Sequence, residues 1–212
     1  MLLGLALAYL YVPSERTMGD VQRIFYFHVP FAMSAFLAFG VVLISSLGYL
    51  STRDRAWDRW AQAGAEVGFL CCTIVLLTGP VWARSAWGVW WTWDARLSTT
   101  LLLWLIYAAY LMLRSYGDGG DRTLRQAAVL GIAGALNVPI VYYSVAWFRT
   151  QHPQATFFTR EGLPVPEMAI ALRFCLAVVI LLVVDLIWKR VWLAHLEERR
   201  DRLRLELEEA RA

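Results

Sequence analysis

Hydropathy sets the first limit on this chain. Five stretches are long and apolar enough to cross a bilayer as helices: Phe31–Leu50, Trp60–Trp82, Leu97–Leu113, Gln126–Phe148 and Met168–Val191. A helix spanning the ~30 Å hydrocarbon core needs about 20 such residues. A soluble domain of 212 residues has too little interior to hide a hydrophobic share of 59%, whereas in a bilayer those side chains face lipid. The expected fold is all-α, a polytopic integral membrane bundle, and a soluble enzyme is excluded. A sixth apolar run, Leu2–Val12, would reach only about 16 Å as a helix. It lacks the basic leader and small-residue cleavage site of a signal peptide. It therefore reads as part of a first span that is short or truncated, completing a six-helix bundle.

Short polar connectors join the spans, and no internal repeat is present. Residues 1–194 then form the transmembrane unit, and residues 195–212, HLEERRDRLRLELEEARA, a charged helical tail. Glu198 and Arg202 stand four apart in that tail, a pair that supports a solvated helix, and its leucine stripe is weak. One set of alternate connectors, the tail included, holds thirteen Lys and Arg against six in the other set. The first set is therefore expected in the cytoplasm. A net charge of +3 is too small to suggest nucleic acid as a partner.

That orientation collects three unusual segments on the outer face. They are RIFYFHVP (Arg23–Pro30), WARSAWGVWWTWDAR (Trp82–Arg96) and WFRTQHPQ (Trp147–Gln154). Between them they hold His28 and His152, two of the three histidines, and five of the eleven tryptophans: Trp82, Trp87, Trp90, Trp91 and Trp93. Tryptophan belts membrane interfaces, which accounts for Trp60, Trp147, Trp188 and Trp192. Four rings within the seven residues from Trp87 to Trp93 exceed what a belt needs. An aromatic shelf for a large planar apolar ligand, a porphyrin above all, explains them better. Gly88 would let the backbone turn there, or let a flat group approach closely.

A haem iron takes axial imidazoles, one from each face. His28 stands two residues before Pro30, near the first turn of the second span. His152 precedes Pro153, which favours extended backbone. Axial ligation and ordinary loop histidines facing water both fit this placement, while His195 belongs to the solvated tail. Haem propionates require cationic or donor partners. Arg84 and Arg96 bracket the shelf, and Arg149 and Arg173 border the third segment, although arginine near a span end also snorkels without any ligand. Asp94 either accepts from an indole N–H or caps the helix starting near Ala95.

Cys71, Cys72 and Cys175 lie in apolar runs, as small packing groups do. No C-x-x-C-H occurs, so haem attachment through cysteine is not expected. Within the spans, Asp185 and Lys189 suit an ion pair one turn apart, and Glu66 is expected to reach water. Asn137 and Pro139 lie mid-span, where they either bend the helix that leads to His152 or serve packing.

WGVWWTWDARLS resembles the tryptophan-rich WWD signature of haem-handling proteins, and RIFYFHVP and NVPIVYYSVAWFRTQHPQ resemble the two histidine segments of its CcmC branch. The resemblance covers most of the chain, in the same order. It implies a six-helix bundle in the bacterial cytoplasmic (inner) membrane with both histidine segments on the periplasmic side. It assigns His28 and His152 to axial haem ligation, and Trp87, Gly88, Trp90, Trp91, Trp93, Asp94 and Arg96 to the signature. The implied cofactor is haem b, held non-covalently and transiently. The implied job is delivery to the chaperone CcmE during cytochrome c maturation, beside CcmD and the ATP-hydrolysing pair CcmA and CcmB. No P-loop G-x-x-x-x-G-K-[ST] occurs, so ATP hydrolysis is expected of a partner, and this chain is expected to bind and transfer rather than catalyse.

Two departures from the family pattern stand out: the short first span, and Phe148 and Gln151, where a second tryptophan and a leucine are more usual. Three other readings compete. A WWD cytochrome c synthetase component would be longer, with more histidines inside the membrane. An integral b-type cytochrome would carry its ligand histidines at membrane depth. A structural subunit with an aromatic belt would bind nothing.

Overall fold

The computed structural model describes residues 2–16, 18–148, 150–152, 163 and 165–211. Those residues are almost entirely helical. A short apolar helix, α1 (Leu2–Ala6), runs into a π turn at Leu7–Tyr11. After it come α2 (Phe25–Thr52), α3 (Arg55–Trp87), α4 (Ala95–Tyr116), α5 (Asp121–Trp147) and α6 (Pro166–Glu209). Among the described residues, five helices are long and apolar enough to cross a membrane. Leu2–Tyr11 is a shorter apolar helix, so the expected short first element is present. The chain is a multi-pass helical membrane protein.

Successive helices alternate in direction. One end of the bundle gathers the start of α2, the end of α3, the start of α4 and the end of α5; it is called the histidine end below. The opposite end carries the tight α2–α3 and α4–α5 turns. At the first of these, Arg53 is left-handed (φ 61°) and Asp54 caps α3 by accepting from Ala56 N at 2.8 Å.

Close helix packing explains why these helices assemble. Without a hydrophobic force between helices in lipid, small residues that let backbones approach supply the association energy. On α3, a Cβ at Gly68 would fall 2.6 Å from Phe39 Cε1, and one at Gly64 would fall 3.0 Å from Ala38 O. α2 therefore lies directly against the α3 backbone. Phe39 in turn stacks on Tyr107 of α4, with ring centroids 3.8 Å apart and planes 10° apart. The Tyr107 hydroxyl donates to Gly131 O of α5 at 3.1 Å. The N-terminal helix docks at the other side of α2, where Ala8 and Val12 join Tyr26, Met168, Ala171, Leu172 and Cys175 in a second buried cluster. Arg23 holds it there by donating to Ala8 O at 2.5 Å and Val12 O at 3.3 Å.

The helices extend beyond the apolar runs. A 3-10 turn at Asp20–Ile24 leads directly into α2, so His28 is a helical residue and Pro30 falls in the second turn rather than the first. α3 continues through Arg84 to Trp87, so its last turns carry the start of the tryptophan segment. α6 is a single helix of 44 residues, about 66 Å at 1.5 Å per residue, and it passes position 195 without a break. Its charged portion packs back on the bundle: Arg59 Nη1 meets Glu198 Oε2 at 2.8 Å. Glu66 stays partly exposed, as expected, and also accepts from Arg190 Nη2 at 3.1 Å. Asp185 and Lys189 do pair, at 2.7 Å.

Candidate functional site

The histidine end encloses a cavity of about 500 Å³, within the ~300–1,000 Å³ usual for small-molecule sites. α2, α3, α4 and α5 wall it, and it reaches inward as far as Cys72 and Leu103. Most of the wall is apolar. His28, His152, Trp82, Trp87, Trp91 and Arg96 bring the distinctive chemistry to it.

His28 projects from the first turn of α2 against α3. Its Nδ1 lies 2.9 Å from Thr78 Oγ1, and Thr78 Oγ1 donates to Ile74 O one turn back, at 2.8 Å. Gly79, the next residue, presents no side chain to the imidazole; a Cβ there would lie 3.4 Å from His28 Cε1. α3 thus offers the ring a flat backbone wall and one polar contact.

His152 enters from the chain beyond α5, four residues after Phe148 ends that helix. Its ring meets Trp87 edge to face, centroids 6.4 Å apart. Trp87 meets Trp82 in the same manner at 5.0 Å and 82°. A continuous aromatic path therefore runs from α3 to the second histidine.

Two of the indoles have a buried polar atom. The Nε1 atoms of Trp82 and Trp91 are buried, and among the described residues neither has a hydrogen-bond partner. Indole N–H is donor-only, and leaving a buried donor unpaired costs about 1–3 kcal/mol. Both rings line the cavity, but their Nε1 atoms are covered by protein and do not open onto it. Arg96 lies in the same wall. Its Nη1 donates to Val141 O at 3.1 Å and Tyr142 O at 3.2 Å, tying the start of α4 to the outer part of α5.

Apart from Ala83, the remaining residues of the tryptophan segment stand outside the cavity lining. Gly88 ends α3 in the left-handed region (φ 77°) with its N–H bonded to Arg84 O, the turn that glycine makes readily. The Arg84 guanidinium folds over the same turn and donates to Gly88 O. Trp90 and Trp93 are 59% and 78% exposed. Asp94 is the cap of α4, accepting from Leu97 N at 3.0 Å and from the Thr92 hydroxyl at 3.2 Å. Arg173 is exposed, and Arg149 lies outside the described residues.

The sequence model of the CcmC family, described as heme exporter protein C, matches residues 1–206. The chain belongs to the CcmC family. The Heme exporter protein C of Bradyrhizobium diazoefficiens is 37% identical over 175 residues, covering 80% of this chain and 66% of that protein. That of Escherichia coli is 32% identical over 146 residues, covering 69% and 60%. That of Haemophilus influenzae is 29% identical over 208 residues, covering 96% and 81%. The chain thus spans no more than about two thirds of the length of the first two relatives.

Within this CcmC-family chain, the cavity unites His28, His152, Trp87, Trp91 and Arg96 from the sequence-derived set and leaves out Arg84, Gly88, Trp90, Trp93 and Asp94. Sequence reasoning missed Thr78. A threonine inside an apolar helix usually returns its hydroxyl to the carbonyl one turn back, and nothing in its own helix marks a second role. Asn137 also resolves: its Nδ2 donates to Thr99 O at 2.9 Å, so it binds α5 to α4.

Proposed function

We propose that this chain binds haem non-covalently in the cavity at the histidine end, with His28 and His152 as the axial ligands. The carrying observation is that both imidazoles, from different hairpins, line one cavity of suitable size. The donor set suits the ligand. Trp87 and Trp91 offer aromatic surface for a porphyrin plane, and Arg96 offers donors for its propionates. Bound haem would supply a metal centre for the two imidazoles and a planar apolar rim.

On this reading the histidine end faces the periplasm from the inner membrane, consistent with the excess of basic residues at the other end. Haem b is cargo, passed to a CcmE-type chaperone during cytochrome c maturation, within an assembly that includes CcmA-, CcmB- and CcmD-type subunits. The chain itself is a binding and transfer subunit, and any ATP hydrolysis belongs to a partner. The names of the relatives, Heme exporter protein C, support haem as the cargo.

The test is the optical and EPR spectrum of the purified protein loaded with ferric haem. Bis-imidazole ligation and about one haem per chain are expected. His28→Ala and His152→Ala should each abolish the bis-imidazole signature and delivery to the chaperone. Unchanged spectra in both single variants would overturn the assignment.

A further inference from the structure

The contact between His28 and Thr78 carries information about protons. A threonine hydroxyl has one proton. Ile74 O and Val75 O can only accept, and they stand 2.8 and 3.4 Å from Thr78 Oγ1, so the hydroxyl proton is directed to its own helix. Thr78 Oγ1 therefore meets His28 Nδ1, 2.9 Å away, with a lone pair. The imidazole must be the donor.

The same helix contains an independent control one and a half turns earlier. Thr73 Oγ1 donates to Phe69 O at 2.8 Å and accepts from Trp104 Nε1 at 2.8 Å. An indole nitrogen is always a donor, so the direction there is unambiguous, and its distances match those at Thr78. Both threonines turn a hydroxyl committed to its own helix into an acceptor for a ring N–H from a neighbouring one.

We propose that Thr78 is a positioning residue for His28, whose hydroxyl holds the neutral imidazole in the Nδ1–H tautomer and leaves the lone pair on Nε2 for a metal. A ring nitrogen carrying hydrogen cannot ligate, so the tautomer decides which nitrogen is available. Metal-bound histidines generally donate their other N–H to an oxygen that fixes ring orientation and raises ligand basicity. Here that oxygen is supplied by α3. Gly79 keeps the adjacent wall clear, so the ring lies close to α3 and Thr78 reaches it directly. The inference deepens the haem-binding reading and depends on His28 being a ligand.

The experiment compares the full-length protein with Thr78→Val, Thr78→Ser and His28→Ala. Valine matches threonine in shape but removes the acceptor; serine restores it. In the haem-free protein, ¹⁵N chemical shifts of the histidine rings should report the Nδ1–H tautomer at His28 for the unaltered chain and Thr78→Ser. Thr78→Val should shift the ring towards Nε2–H. With ferric haem, Thr78→Val should bind about tenfold more weakly and change the spread of EPR g-values, and Thr78→Ser should recover both.

A Thr78→Val protein with unchanged tautomer, g-values and retention would overturn the role of Thr78 if His28→Ala still loses the signature. If His28→Ala keeps the signature, the ligand assignment itself fails. Loss of monodispersity in Thr78→Val without rescue by Thr78→Ser would make Thr78 a packing residue and also overturn the proposal.

Discussion

Trp87 and His152 stand edge to face at 71°, ring centroids 6.4 Å apart, although one ends α3 and the other follows α5. His152 sits in irregular chain, so its ring direction depends on neighbours more than on its own backbone. Trp87 is the aromatic neighbour that connects it to a helix. Such a pair contributes about 0.5–1.5 kcal/mol beyond burial, or roughly twofold to thirteenfold in a binding constant. Trp87→Ala should therefore weaken ferric haem binding by about that factor and produce a high-spin fraction as the second imidazole is lost. Trp87→Phe, which keeps an aromatic face, should lie between. Equal spectra for all three proteins would show that His152 is oriented by something else.

The tryptophan segment should divide into two energetic classes. Trp91 lines the cavity, whereas Trp90 lies outside that lining and is 59% exposed. Burying a large apolar side chain against a ligand is worth about 1.5–3 kcal/mol. Trp91→Ala should thus reduce haem retention by about tenfold or more, and Trp90→Ala by about twofold or less. Changes at Trp188 and Trp192, 63% and 59% exposed on α6, should leave retention unaltered. Titration of haem into each detergent-solubilised variant separates these cases, and a Trp90→Ala loss as large as that of Trp91→Ala would contradict the division.

The bundle and its gathering of histidines and tryptophans at one end were legible in hydropathy and residue type, because lipid imposes length and apolarity on every span. The ends of the helices were not. Arg84 and Trp87 read as connector, yet α3 continues past Gly79 and Pro80 and through them until Gly88 turns left-handed. His28 read as the entry to a span, yet the 3-10 turn before Phe25 places it inside α2. Composition also could not show that Trp91 turns inward while Trp90 and Trp93 turn outward, since all three share one irregular stretch. Thr78 has significance only through His28, fifty positions away, and pairings of that separation leave no local trace.

Arg96 offers a test of propionate recognition that does not depend on the iron. Its guanidinium borders the cavity while donating to Val141 O and Tyr142 O, and Arg has further donors in a fixed fork. Arg96→Gln should weaken binding of protoporphyrin IX by about tenfold, the scale of one charge-assisted bond. The dimethyl ester of the same porphyrin, lacking carboxylates, should bind both proteins alike. A similar loss with the ester would assign Arg96 to the α4–α5 connection alone.

Stability should rest on the opposite end. Arg114 Nη1 and Nη2 grip Asp58 Oδ1 and Oδ2 at 2.6 and 2.8 Å, and Nη2 also reaches Gln62 Oε1 at 2.8 Å. Both charged side chains are only 12% exposed. Removing one partner of such a pair leaves an uncompensated buried charge, at a cost of about 3–5 kcal/mol. Arg114→Ala should therefore lower the thermal midpoint in detergent markedly, whereas the double variant Asp58→Asn/Arg114→Ala should recover part of the loss because no lone charge remains. Haem spectra of whatever remains folded should match the unaltered protein, since neither residue lines the cavity. A double variant no more stable than Arg114→Ala would locate the cost in lost packing of the arginine stem rather than in the stranded carboxylate.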